Sequence, residues 1–440
     1  MKKLLPLLIG AALGSLSSSV WADSLAEIYD LAKQNDPQLL SVQAKRDAAF
    51  EAVTSSRSTL LPQINLTAGY NLKRGDTDLD AGATIDNDQN ALTAGINFSQ
   101  ELYQRSSWIT LDNAEKTARQ ADAAYAATQQ GLILRTAQAY FEVLKAQDNL
   151  EFVRAEKAAV ARQLEQTKQR FEVGLSAITD VHDAQAQYDG VLADEVLAEN
   201  SLTNSYEALR EITGQEHKNL NVLDTKRFSA SRSNASAETL IEEAQEKNLS
   251  LLSARITKDI AKDNISLASS GHLPSLTLDG GYNYADVSSS TNDGTTNNFN
   301  VGVNLVVPLY TGGNTSSQTK QAEFNYVAAS QDLEATYRSV VKEVRAQNNN
   351  INASIGALRA YEQSVVSARS ALEATEAGFD VGTRTIVDVL DATRRLYDAN
   401  KNLSNARYNY ILSVLQLRQA VGTLSEQDVL DVDAGLIAKK

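Results

Sequence analysis

Asp388 and Asp391 stand three residues apart in a stretch with helical spacing, so they share one helix face. Two carboxylates on one face make a locally negative surface. Acidic residues early in a helix also stabilise its N-terminus, and Asp180 and Asp183 hold the matching places 208 residues earlier. Arg384 lies four residues before Asp388. Its planar fork suits a carboxylate, but by itself it reads as an ordinary solvated arginine near a turn, since one exposed pair contributes little. Gly174-Leu175 and Gly382-Thr383 read as turns, where glycine permits positive φ.

Other chemistries are excluded by composition. The chain has no cysteine, which removes disulfides, iron–sulfur clusters and thiol catalysis. Its three histidines, His182, His217 and His272, are too scattered for a His-rich metal site. Glu216-His217 and His182-Asp183 are isolated pairs, with no phosphate-cradling loop and no helical His-Glu-x-x-His motif. No enzyme, no cofactor and no resident metal are expected. A net charge of −14 argues against nucleic acid.

The elements that must position the acidic pair are long. Only five prolines occur, Pro6, Pro37, Pro62, Pro274 and Pro308, and none falls in 63–273 or 309–440. Such stretches permit very long helices. Residues 1–22 read as a secretory signal: Lys2 and Lys3, an apolar run from Leu4 to Leu16, then Val20 and Ala22 before a cut at Asp23. No later segment is apolar enough for a membrane helix, so any span must be β-strand.

The remaining chain is a tandem duplication. Leu61-Pro62-Gln63-Ile64-Asn65-Leu66 recurs as Leu273-Pro274-Ser275-Leu276-Thr277-Leu278, and Phe171-Glu172-Val173-Gly174 recurs as Phe379-Asp380-Val381-Gly382. The first repeat covers 23–214, with a β-hairpin over about 62–100 and antiparallel helices over about 105–171 and 177–213. An irregular connecting segment covers 215–237. The second repeat covers 238–422, with a hairpin over about 274–308 and helices over about 314–378 and 384–421; 423–440 forms a C-terminal equatorial segment or tail. Period-two alternation over Ile64–Leu72, Leu92–Phe98, Leu276–Tyr284 and Phe299–Val307 gives each strand one apolar face. About ten residues suffices for a tilted membrane strand. Four strands cannot close a barrel in lipid, so two or three chains would have to close one together.

The run Gly378-Phe379-Asp380-Val381-Gly382-Thr383-Arg384-Thr385-Ile386-Val387-Asp388-Val389-Leu390-Asp391 resembles the second helix-pair tip of the outer-membrane efflux protein (outer membrane factor) family. Gly174-Leu175-Ser176-Ala177-Ile178-Thr179-Asp180-Val181 resembles its first tip. The resemblance spans almost the whole chain after residue 22. It implies a mainly α fold with a membrane part: a homotrimer whose twelve strands form one β-barrel in the outer membrane and continue into a twelve-helix tunnel across the periplasm. It implies a passive exit duct for drug efflux and type I protein secretion, docked on a periplasmic adaptor (membrane fusion protein) and an inner-membrane transporter. By the same resemblance Asp388 and Asp391 line the periplasmic mouth as rings and can bind cations. Arg384 latches the gate by bonding the neighbouring tip at Thr179 and Asp180. Gly174, Leu175, Gly382 and Thr383 contact the adaptor. Where the family has a tyrosine that bonds the gate aspartate, this chain has Phe379, which lacks the hydroxyl, so closure should rest more on Arg384. Two other readings share some of these features. One is an outer-membrane factor dedicated to a single pump; the other is an exported coiled-coil scaffold or adhesin, which needs the long helices but not the alternating hairpins.

Overall fold

A computed structural model describes residues 23–78, 80, 82, 84–86, 88–232, 235–289 and 293–438. The leader expected over residues 1–22 lies outside the described residues. Helices α1 (Leu25–Asn35) and α2 (Pro37–Ser58) precede β1 (Gln63–Lys73). A small ribbon, β2 (Asp76–Asp78) with β3 (Thr84–Asp86), decorates the loop before β4 (Gln89–Tyr103). Then come α3 (Arg105–Glu172), α4 (Ile178–Thr213), β5 (Val222–Leu223), α5 (Ala237–Lys247) and α6 (Leu249–Ser269). A short 3₁₀ turn leads to β6 (Ser275–Ser289) and β7 (Gly294–Val306). The chain ends with α7 (Asn314–Asp380), α8 (Ile386–Val421), α9 (Glu426–Asp433) and β8 (Leu436–Ile437).

The four long strands form one antiparallel sheet in the order β1-β4-β6-β7. The β4–β6 pairing joins the two repeats, and their hairpins lie side by side. Register aligns Leu66, Ile96, Tyr282 and Phe299 in one row. These four side chains are 77, 53, 51 and 77% exposed, so the apolar face is no core. The opposite face presents Asn65, Asn97 and Asn300, with Thr67 and Asn283 one row over. A hairpin in a soluble domain would bury its apolar side; here the apolar side is bare. The outer edges of β1 and β7 have no partner among the described residues.

Below the sheet the rods continue the strands. α3 packs between α2 and α6, and α6 packs on α7, in the same order as the strands to which they connect. α3 has 68 residues and no proline, which gives a length of about 100 Å. Its partner α4 runs back alongside it, as α8 does along α7. Burial along α3 is uneven. Between Leu132 and Leu144 it buries Leu132, Ile133, Thr136, Ala137, Tyr140, Phe141, Val143 and Leu144. Toward its C-terminal end only Val160, Leu164 and Thr167 are buried, at the three- and four-residue steps of a narrow seam.

The wide section is wide because other elements wrap it. α1, Leu39 of α2, Leu209 of α4, Leu220, Leu223, Tyr408, Leu415, Leu424, Val429 and Leu436 close on this part of α3. Asp36 caps α2 by accepting from the Leu39 N–H at 2.9 Å, and Pro37 fills the first helical position. The buried Asp36 carboxylate also receives Arg135 at 2.7 Å. The connecting segment expected to be irregular over 215–237 carries one short strand among its described residues, β5. Its strand β5 pairs with β8 of the tail, which also carries α9. Asp23 bridges beside Leu220, and buried His217 joins the Asp23 carboxylate at 2.7 Å to the Thr213 hydroxyl at 2.9 Å. These contacts come from both ends of the chain, which short-range composition does not reveal.

Gly422 ends α8 with φ +89°, and a Cβ there would sit 2.4 Å from the Lys247 carbonyl oxygen and 2.8 Å from the Asn248 Cα. Both are backbone atoms that cannot swing aside. Gly422→Ala is therefore expected to cost about 2 kcal/mol or more. Gly131→Ala, in open space on α3, should be neutral or stabilising by roughly 0.5–1 kcal/mol. Thermal unfolding of the purified variants followed by circular dichroism checks the contrast.

Candidate functional site

The far ends of the two helix pairs come together, and the predicted residues lie there. Each tip is the same turn. α3 ends through Val173 (φ −94°) into Gly174 (φ +77°), with the Leu175 N–H donating to the Arg170 carbonyl at 2.7 Å. α7 ends through Val381 (φ −90°) into Gly382 (φ +80°), with the Thr383 N–H donating to the Gly378 carbonyl at 2.8 Å. This six-to-one bond over a left-handed residue is the Schellman stop, and it explains glycine at both positions. It leaves Val173, Leu175 and Val381 exposed, with Ile178 and Val387 exposed just beyond the turns.

Under the tips one apolar cluster joins the pairs. Val160, Leu164, Ala184 and Val191 of α3 and α4 pack with Phe379, Ile386, Val389 and Leu390 of α7 and α8. Both acidic positions of the α8 face are occupied locally. Asp388 is the third residue of a capping box: its Oδ2 accepts from the Thr385 N–H and hydroxyl, each at 2.9 Å, while its own N–H donates to Thr385 Oγ1 at 3.3 Å. The Thr385 N–H, then the Thr385 hydroxyl, hold its carboxyl below the usual value, and nearby Arg384 adds to this. Asp391 is clasped by Arg394 at 3.0 Å and Arg395 at 2.6 Å.

The matching Asp180 makes only half a box. It accepts from Ser176 Oγ at 2.6 Å and from the Ala177 N–H at 3.2 Å, and Ala177 has no hydroxyl to reciprocate. Within one chain, among the described residues, no hydrogen bond or ion pair links Arg384 to Thr179 or Asp180. The stem of Arg384 instead lies over Gly378, where a Cβ would come within 2.8 Å of its Cγ.

Arg394 and Arg395 were readable in principle, since positions three and four after an aspartate on a helix meet it. Arg170 was not. It reaches from the last turn of α3 to Phe379 and Asp380, more than 200 residues away. Between α3, α4 and α8 lies a cavity of about 440 Å³ whose lining includes Glu156, Asp194, Arg394, Tyr397, Asp398 and Lys401. Burial, then Asp398 and Asp194, push the Glu156 carboxyl above its ordinary range against the pull of Arg394 and Lys401. Among the described residues no group of three or more His, Asp or Glu side chains could hold a metal ion.

A bare apolar sheet face, amides on the other side, and long rods ending in paired glycine-stopped tips define the subunit of an outer-membrane channel. The chain belongs to the outer membrane efflux protein family, which it matches over residues 28–215 and 240–423, one match for each repeat. It is similar to the outer membrane protein TolC of Vibrio cholerae, 79% identical over the whole of both chains. It is 29% identical over 452 residues to the alkaline protease secretion protein AprF of Pseudomonas aeruginosa, covering all of this chain and 92% of that one. Among solved structures it resembles the CmeC outer membrane channel of Campylobacter jejuni, with a TM-score of 0.79 at 17% identity, covering 99% of this chain and 97% of that one.

The Glu156 environment generates a pH prediction. The folded chain holds this carboxyl above its ordinary value of 4.5, so it binds the proton more tightly than the unfolded chain does. That unfavourable contribution is absent below the ordinary value and grows as pH rises above it. Glu156→Gln should therefore raise the thermal midpoint at pH 7, and the gain should vanish toward pH 4. Melting curves of both proteins across that range test it.

Proposed function

We propose that three copies of this chain close one twelve-stranded barrel in the outer membrane and carry it into a twelve-helix tunnel through the periplasm. The bare apolar row Leu66, Ile96, Tyr282 and Phe299 carries this reading. In water it would be an aggregation surface, and in lipid it is the required exterior. A coiled-coil scaffold would leave that row in water. The protein is an exit duct for efflux and secretion, in keeping with relatives named for protease secretion and efflux. It works passively and performs no chemistry, because the pumping energy belongs to an inner-membrane transporter. The amide face of the sheet suits such a duct: Asn65, Asn97, Asn283 and Asn300 would hydrate a passage.

The periplasmic tips are the gate. Arg384 has no ion-pair partner within its own chain among the described residues, which leaves its fork free for Thr179 and Asp180 of the next copy. Three such pairs round a ring act together where one exposed pair would contribute little. The exposed Val173-Gly174-Leu175 and Val381-Gly382-Thr383 turns supply the surface for a periplasmic adaptor. Asp388 and Asp391 form an acidic ring at the mouth, moderated by Arg394 and Arg395.

Single-channel conductance of the purified protein in planar bilayers tests this. Arg384→Ser should raise conductance clearly; an unchanged value sinks the latch. A trivalent cation added on the tip side should block the pore, and Asp388→Asn with Asp391→Asn should abolish the block. Removing the moderating cations with Arg394→Ser and Arg395→Ser should make the block tighter.

A further inference from the structure

We propose that Arg170 is a second latch, acting inside each chain, which holds the α7–α8 pair against the α3–α4 pair when the tip is closed. This rests on the reading of the protein as a duct gated at its tips. The Arg170 guanidinium lies over the Phe379 ring at 4.6 Å from its centroid, and its Nη1 stands 3.9 Å from Asp380 Oδ1. Phe379 is 9% exposed and belongs to the apolar cluster under the tips. Arg170 therefore stacks on an anchored ring, with the Arg170 side chain itself only 26% exposed. Partial removal from water is the setting in which a cation over an aromatic face is strongest.

The contact crosses between helix pairs. Arg170 is in the last turn of α3, whereas Phe379 and Asp380 are in the last turn of α7. Among the described residues, the side-chain hydrogen bonds from α3 to α8 lie farther back along the rods, where Asp148 accepts from Tyr408 at 2.9 Å and from Ser404. Near the tips the pairs share the apolar cluster, and apolar packing tolerates sliding because it has no preferred direction. A planar cation on a ring face does have a direction, since it is lost once the ring slides from beneath it. Asp380 is 66% exposed and orients the fork more than it strengthens it. Separating the pairs at the tip must break this stack, so Arg170 is a positioning residue for the closed state.

The test is single-channel conductance in planar bilayers, with thermal midpoints recorded beside it. Arg170→Ala and Phe379→Leu, which keeps apolar bulk but removes the ring face, should each raise conductance several-fold. The double variant should go no further than either single one, because both remove the same contact. Arg170→Lys keeps the charge without the plane and should not restore closure, whereas Phe379→Tyr keeps the ring and should conduct no more than the parent. Asp380→Asn should change little. Parental conductance in both Arg170→Ala and Phe379→Leu overturns the latch, as does a fully additive double variant. If Arg384→Ser still opens the pore in that case, the gated-duct reading survives. If Arg384→Ser, Arg170→Ala and Phe379→Leu all leave conductance unchanged, the gate itself is refuted.

Discussion

A strand edge facing hydrocarbon must be paired, because nothing in the bilayer can satisfy its N–H and C=O groups. The rest of this molecule depends on that constraint. One chain supplies four strands with two open edges, so it is incomplete in lipid by itself. The proposed closure by three copies then fixes where the helices go, since β1, β4, β6 and β7 each join a rod directly and the rods keep the strand order. A ring of strands becomes a ring of helices without rearrangement. The side that faces lipid above and the side that faces the passage are both set in the strands, by alternation of apolar residues with asparagine and threonine.

The two repeats solve the same local problem with unequal chemistry. Both tips stop a long helix with a left-handed glycine and restart one with an aspartate at the third position. The second tip completes its capping box through Thr385, while the first has Ala177 in that place. The second tip also carries Arg384, Arg394 and Arg395. Duplication gave a common turn, and the later differences place the ionic groups on α8. Asp388 illustrates that two readings of one residue can coexist: it caps its own helix, and the carboxylate kept charged by that cap is the one proposed for the mouth.

Much of the fold was legible because its signals are binary. A strand with one lipid face alternates strictly, and a rod without proline over dozens of residues has few other options. The duplication exposed matching turns at Gly174 and Gly382. Registers were not legible, since pairing Ile96 with Tyr282 joins residues in different repeats, with nothing local to announce it. The β5–β8 ribbon was hidden for the same reason, each strand being two residues long. At the tip, the carboxylates and Arg384 stood out by type and spacing. Arg170 did not, because a cation finds a ring face only after four helices have been brought together. The arginines holding Asp391 could have been read from helical spacing, since they stand three and four residues after it.

The uneven burial along α3 has a mechanical meaning. A rod gripped on most of its circumference between Leu132 and Leu144, but seated on a single apolar stripe beyond, is a cantilever clamped at its base. From Leu144 to Glu172 the free arm is about 40 Å long at 1.5 Å per residue. Bending stiffness falls steeply with length, so a small tilt at the clamp becomes a displacement of several ångströms at the end. The load needed to swing such an arm is set by what holds its far end, not by the bulk of the protein. The strands, on the opposite side of the clamp, need not move at all. A wall built this way can stay sealed in the membrane while its mouth changes width.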